Sequence, residues 1–538
     1  MTEEKTIYST HHFIFSFRWD FLPKEKTINQ VDFDKRTDFD EIDKLLKDTK
    51  WEGNKKLQKE DFNHYTYFYE FVRNSLYDFK DNNKIVRYYE YDLSGKLDEY
   101  KKYKIEYLEK KKGAKTYTET DYVTKELVLE INGVTMFLFN TGVGTISFDL
   151  SNTLKEQNTK EAVLKINELG RRIYPQFLNF SEKKGKNENN FLFNAQRVFF
   201  NKSITLFGKK EDYDYYNSSN FKILKPIKLP SFITNLFTDK FVMYEDEEKH
   251  TNRVRIKPIT DDRMFFISWY GNNEFSSCIG EQYKNSDWWY SYIFGDKTSP
   301  SLANENLKKE QIEDHTYKRW SGYGTLYGMS RDSFVCLSSC EKYMIETDLP
   351  NLKEHQSSIY YQIAILCIVQ RASVLKFSSE VSRIADVAKG KNPKLTNEIE
   401  NLYANYIEFR NKIYFREVTS QIQGIEIYEK FQNVMNIHND VKDLDSEIEE
   451  LSNFSNLSHQ RKEAAESKKH TLLATIFLPT MLISGILGMN IFDNSEKIPT
   501  YFFNLNPILS FWIPTLIIFL ITLIFIKWDW IKNKLKKH

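Results

Sequence analysis

Cysteine is scarce, with four in 538 residues: Cys278, Cys336, Cys340 and Cys367. Their irregular spacing excludes a disulfide framework, and Cys336 with Cys340 lacks the two further ligands a structural zinc site needs, so free thiols in a reducing compartment are expected. Proline and glycine are also few, at 12 and 19, and between positions 394 and 478 there is no proline and only Gly424. That stretch holds few of the residues that end helices. Neither sign of charge is in excess: the formal net charge is +1. The chain therefore lacks the global positive field that gathers nucleic acid, and direct nucleic-acid binding is not expected. The first residues, MTEEKTIYSTHH, are polar, so no signal peptide is expected and insertion into a membrane would fall to later segments. No His-Glu, Cys-His or Ser-His set has catalytic spacing, and an enzyme is not expected. Aromatics, by contrast, are abundant, with 33 Tyr and 41 Phe. They can fill a large core, so single aromatic residues are not read as ligand platforms.

The longest apolar runs lie at the C-terminal end. Residues 471–490, TLLATIFLPTMLISGILGMN, carry no charge and follow Lys468, Lys469 and His470; their length spans a bilayer as one helix. A second uncharged run ends at Ile526 and is followed by Lys527, Trp528 and the lysines at 532, 534, 536 and 537, whereas the loop between the runs carries Asp493, Glu496 and one Lys497. The positive-inside bias then predicts a multi-pass protein of the inner (plasma) membrane with both termini cytoplasmic. The expected layout is a cytoplasmic sensing domain over 1–350, a helical and stalk region over 351–470, a first membrane helix over 471–490, an external loop over 491–506, a second membrane helix over 507–527 and a basic tail over 528–538.

The hairpin resembles the CorA family of divalent-cation channels, whose first membrane helix carries Ala-Thr-Ile-Phe and proline before a terminal Gly-Met-Asn. Here these are Ala474, Thr475, Ile476, Phe477, Pro479, Gly488, Met489 and Asn490. A small divalent cation prefers hard oxygen ligands and dehydrates reluctantly, so a ring of carboxamide and carbonyl oxygens can hold it hydrated. The plainer alternative is that Gly488 and Asn490 only cap a helix. The resemblance implies a homopentamer in the lipid bilayer whose first helices line the pore, with Gly488, Met489 and Asn490 as selectivity residues, Asn490 facing a hydrated cation, and Leu478 and Met481 as pore-facing gate positions. No covalent cofactor is implied, and Mg2+ or another divalent cation is the implied permeant or regulatory ion. Met481 stands where many members have threonine, and Asn494-Ser495-Glu496-Lys497-Ile498-Pro499 replaces the family's acidic outer-loop motif. The cytoplasmic part is also larger than a magnesium channel needs. In this it resembles the enlarged CorA-like subgroup that accompanies type III CRISPR systems, which implies an antiviral effector gated by a nucleotide second messenger, a conjugate of S-adenosylmethionine and AMP. The alternative is a housekeeping Mg2+/Co2+ transporter gated by cytoplasmic cations.

Hydrophobic patterning of the N-terminal part predicts an α/β (α+β) domain with a mixed or antiparallel sheet. Strands are expected at 13–19, 84–91, 103–108, 115–122, 145–150, 264–269 and 333–337, with a hairpin of 127–131 and 134–139 turning at Asn132-Gly133, and an aromatic strand and turn over 287–296. Helices are expected at 160–173 and 357–387. A continuous helix is expected from 425 to 489, in which Val441, Leu444, Ile448 and Leu451 have the spacing of packed helices and 452–456 marks a candidate turn. Two stretches are candidates for a small ligand. The loop with Asn140, Thr141, Gly142 and Gly144 can present backbone N–H groups to an anion, or it is an ordinary hairpin turn. Arg319, Trp320 and Arg331 combine charge with a stacking plane amid glycines, or they are surface residues of a β-rich core. The acidic run from Asp440 to Glu450 reads as a solvated helix face or as a site for regulatory cations.

Overall fold

The computed structural model describes residues 6–21, 38–53, 62–78, 84–95, 97–113, 122–173, 199–212, 229–238, 240–242, 254–259, 263–296, 300–339, 352–388, 395–488, 516–517 and 520. The chain divides into two units, Met1–Glu449 and Glu450–His538.

The first unit is built on a 14-stranded mixed sheet. Its strands are β1 (Ser9–Phe21), β2 (Trp51–Gly53), β3 (Val86–Tyr91), β4 (Lys102–Lys110), β5 (Tyr122–Phe139), β6 (Val143–Asn152), β7 (Phe199–Leu206), β8 (Lys209–Asp212), β9 (Phe241–Val242), β10 (Val254–Pro258), β11 (Phe265–Gly271), β12 (Thr316–Tyr317), β13 (Leu326–Ser330) and β14 (Ser333–Ser338). The main path runs β12-β13-β14-β11-β1-β6-β5-β4-β7-β8. Pairing is antiparallel except between β11 and β14 and between β9 and β10.

β1 lies at the centre and is buried on both faces: Phe13, Phe15 and Phe17 point to one, and His12, Ile14 and Ser16 to the other. It pairs with β6 along most of its length, with β11 over Ser9 to Ile14 and with β10 over Phe17 to Phe21. Phe13, Phe15 and Phe17 are wholly buried on one face and join Ile146, Phe148 and Leu150 of β6 in the main core. The helix Lys160–Gly170 contributes Val163, Ile166 and Leu169 to that core, and the helix Asp287–Phe294 contributes Trp289, Tyr292 and Ile293. The opposite face is covered by the helices Ile359–Ala388 and Ile422–Val434. Tyr327 and Phe334, stacked on neighbouring strands, meet Tyr360 and Phe431 from that layer edge-on.

Leu352–Asp386 contains the described stretch that is long and apolar enough to cross a membrane by composition, yet most of that stretch is buried inside the first unit. It serves here as a core helix. Three other expectations are corrected. The segment read as an aromatic strand is the helix Asp287–Phe294. The hairpin expected at Asn132-Gly133 does not turn there: β5 runs straight through, with a register shift between Ile131 and Gly133 against β6. The helix expected from 425 breaks at Asn436, which adopts φ 59°, and resumes as Ile437–Gly488. Positions 452–456, by contrast, stay helical. The strand expected at 115–122 lies almost wholly outside the described residues.

Truncating the centre of this sandwich leaves a cavity that packed neighbours cannot refill. Phe15→Ala is expected to cost about 3–5 kcal/mol, read as a lowered urea midpoint of tryptophan fluorescence for the full chain in detergent.

Candidate functional site

Residues 140–142 form the turn between β5 and β6, with Gly144 already in β6, and the core helix Ile359–Ala388 meets the turn. Lys376 Nζ donates to the Thr141 carbonyl, and Thr141 Oγ1 lies 3.2 Å from Ser373 Oγ. The Gly142 N–H donates to Phe139 O at 2.9 Å while its carbonyl accepts from Trp19 N at 2.9 Å. Gly142 needs its φ of +74°, and a Cβ there would sit 3.0 Å from Trp19 O. At Gly144 a Cβ would come within 2.5 Å of Phe17 Cζ. Asn140 donates its N–H to Ile85 O at 3.0 Å. The glycines thus serve close packing of strand and helix, with the Gly142 amide already engaged.

The other candidates are split. Arg319 Nη1 donates to Glu426 Oε1 at 2.7 Å, and its guanidinium lies 5.7 Å from the Trp320 ring. Arg331 sits at the far end of β13, exposed, in the turn to β14. Its carbonyl accepts from Arg371 Nη1 at 2.6 Å. Arg331 and Thr141 thus both meet the core helix, at Arg371 and at Lys376, while Arg319 pairs with Glu426.

Leu478, Met481 and Gly488 lie on the helix Ile437–Gly488. Leu478 is 62% exposed and Met481 72%, and their neighbours Phe477 and Leu482 are similarly bare. Met489 and Asn490 lie outside the described residues, as do 491–506 and all of 507–527 except 516, 517 and 520. Of the acidic run, Asp445 accepts from Tyr406 Oη at 2.6 Å and lies 3.2 Å from Arg410, and Asp440 accepts from Asn436 Nδ2 at 2.7 Å. Among the described residues no group of three or more His, Cys, Asp or Glu side chains is placed to hold a metal ion.

A cavity of about 240 Å3 opens between the sheet and the start of the core helix, and sequence reasoning missed it. Three cross-strand pairs step across its floor: His12 opposite Asp149, Ser147 opposite Thr135, and Phe137 opposite Tyr88. Tyr361 and Gln362 form the roof, with Asp78 at one side. His12 Nδ1 is 3.7 Å from Asp149 Oδ1, which also accepts from Asn132 Nδ2 at 3.1 Å. The rings of His12 and Tyr361 are 5.3 Å apart. His12 Nε2, Ser147 Oγ, Tyr361 Oη and Gln362 Oε1 are buried without a hydrogen-bond partner. The Tyr361 hydroxyl faces Ser147 and Thr135 but bonds neither with ordinary geometry. Asp78 Oδ2 accepts from Tyr88 N at 3.2 Å, and Oδ1 lies 3.7 Å from Arg87 Nη1. Burial pushes the Asp78 carboxyl up to about 6, against the pull of the Tyr88 amide and of Arg87. The signal for this cavity is present in β6, where Thr145, Ser147, Asp149 and Ser151 alternate with Ile146, Phe148 and Leu150. Such alternation ordinarily marks a face turned to water.

No family model matches the chain, and no curated protein matches it. Seven solved chains match, among them the complete structure of the CorA magnesium transporter from Methanocaldococcus jannaschii. That match has 14% identity and a TM-score of 0.20, and covers 49% of this chain and 91% of that one.

Because Asp78 holds its proton more tightly folded than unfolded, the folded state takes up a proton between the ordinary carboxylate value and about 6. Stability from this group is therefore fully present below the ordinary carboxylate value and is lost as pH rises from there through about 6. Asp78→Asn is expected to raise the melting temperature at pH 8 more than at pH 5, measured on the full chain in detergent.

Proposed function

We propose that the chain is a CorA-like ion channel of the plasma membrane, assembled from copies of itself and opened by a small ligand bound to its N-terminal unit. The observation that carries this reading is the placement of the Ala474 to Phe477, Pro479 and Gly488 motif residues at the end of a helix of 52 residues whose Leu478 and Met481 side chains are bare. At the usual rise such a helix is about 78 Å long, enough to form a stalk and still reach across a bilayer. Bare apolar side chains in that number need lipid or other copies of the helix to cover them.

The finer reading is a homopentamer acting in type III CRISPR antiviral defence. The messenger would be the conjugate of S-adenosylmethionine and AMP, and Mg2+ or another divalent cation the permeant or regulatory ion. Rings of Leu478 and Met481 would close the pore by excluding water, and Asn490 would present its carboxamide oxygen to a hydrated cation. A ligand opens such a pore only by binding the open state more tightly than the closed one. The competing reading, a Mg2+/Co2+ transporter, draws on the exposed acidic residues Asp443, Glu447 and Glu450, spaced along one side of the long helix.

The test is ion flux from liposomes containing the full chain. Flux that starts only with the adenylated S-adenosylmethionine or a cyclic oligoadenylate supports the gated channel. Flux without any nucleotide that falls as internal Mg2+ rises supports the transporter, and no flux in either arm overturns both. Met481→Thr adds a polar ring to the constriction and is expected to raise ligand-free flux severalfold. Asn490→Ala is expected to abolish growth arrest in cells supplied with the opening ligand.

A further inference from the structure

We infer that the cavity between His12, Ser147, Asp149 and Tyr361 is a binding site for a small flat organic cation, a ring bearing an amidine or protonated amino group. Four buried polar atoms without a well-formed hydrogen bond belong to residues that line it, Tyr361 Oη and Ser147 Oγ facing each other and His12 Nε2 and Gln362 Oε1 standing alone. His12 is 5% exposed, Ser147 2% and Tyr361 8%, so open solvent does not satisfy them. An unmet buried group bears its full desolvation cost, and native interiors keep such clusters where a ligand or ordered water meets them. The space of about 240 Å3 far exceeds what one water needs and falls just below the range of drug-sized pockets. That is room for a single ring system.

The lining sets the sign of the guest. Asp78 and Asp149 contribute carboxylates and His12 and His64 imidazoles, and no lysine or arginine lines the cavity. Arg87 reaches Asp78 at 3.7 Å without lining the space itself. Phosphate and carboxylate are therefore disfavoured within it, whereas a donor group can meet Asp78, Asp149 and the orphaned Gln362 Oε1. Aromatic rings also line it, in two tilted contacts: His12 against Tyr361 at 5.3 Å and Tyr88 against Phe137 at 4.9 Å between centroids. A planar cation gains from both features, through charge-assisted hydrogen bonds and from aromatic faces.

The inference does not rest on the channel reading, because binding is read directly and not through flux. The experiment compares benzamidine with benzoate, flat rings of similar size and opposite charge, by isothermal titration into the full chain in detergent. Saturable binding of benzamidine with affinity about tenfold or more above that of benzoate is expected. Ser147→Leu, which fills the cavity, should abolish that binding, and Asp78→Asn should weaken it about tenfold, the loss of one hydrogen bond to a charged group. If Ser147→Leu fails to fold, Asp78→Asn decides, since it keeps an oxygen for the Tyr88 N–H. Equal or tighter binding of benzoate, no saturable binding of benzamidine, or binding unchanged in Asp78→Asn overturns the assignment.

Discussion

Burial of β1 on both faces is the constraint on which the rest of the first unit depends. A strand whose Phe13, Ile14, Phe15 and Phe17 are all wholly buried needs a layer of structure on each side. One layer comes from helices that follow the strands they cover, such as Lys160–Gly170 after β6. The other covers the face that carries the polar residues of β6, among them Ser147 and Asp149. It is supplied by the helix Ile359–Ala388, more than 200 positions after β6. The sheet is therefore complete only when the chain's last third returns to it.

That arrangement explains why the core helix is so apolar without being a membrane span. Ile363, Leu366, Cys367 and Val369 are wholly buried, and the helix packs on the sheet and on the helices Leu395–Lys412 and Ile422–Val434. A helix enclosed on nearly all sides is hydrophobic nearly all round, whether the enclosure is protein or lipid. Composition separates the two cases poorly. The uncharged run near the C-terminal end differs in carrying bare apolar side chains where it is described, Met481 and Leu482 among them.

The sheet was legible wherever apolar aromatic runs coincide with strands, as in β1, β4, β6, β11 and β14. The misreadings have local causes that outrank composition. Asp287–Phe294 is dense in aromatics and so looks β-prone, but Ser286 Oγ caps its start by accepting from Trp289 N at 3.1 Å, and Gly295 ends it in the left-handed region. Both caps stand in the sequence, and they decide the matter. Asn132-Gly133 reads as a turn, yet Asn132 Nδ2 donates to Asp149 and to Ser151 Oγ at 2.7 Å across the sheet, so β5 continues past it as a bulged strand. The break in the long helix falls on an asparagine, which tolerates positive φ better than most residues. For the site, the arginines were recognisable as residue types, but that Arg319 and Arg331 flank β13 on either side and so stand apart is a property of the strand's bounds. The cavity was hidden because a polar strand face covered by a distant helix reads the same as one covered by water.

The cavity and the long helix meet the same set of packed elements within the first unit. Tyr361 and Gln362, at the start of the core helix, roof the cavity. Two to three turns on, Gln370 donates to Ile413 O at 2.8 Å and to Tyr428 Oη at 3.1 Å, and accepts from Gln432 at 2.5 Å. Tyr428 and Gln432 belong to the helix that ends just before Asn436, where the long helix begins. A second tie holds that beginning, because Tyr406 Oη donates to Val441 O at 3.2 Å and to Asp445 at 2.6 Å. Packed interiors respond to strain by moving between discrete arrangements more than by yielding gradually. A ligand that fixes the position of Tyr361 against the sheet therefore bears on the axis of the core helix. That axis in turn sets where the buried glutamine pair, and with it the turn at Asn436, can sit. Asn436, with φ 59°, interrupts the helices immediately before the long one, so a change in helix direction has a place to be absorbed there.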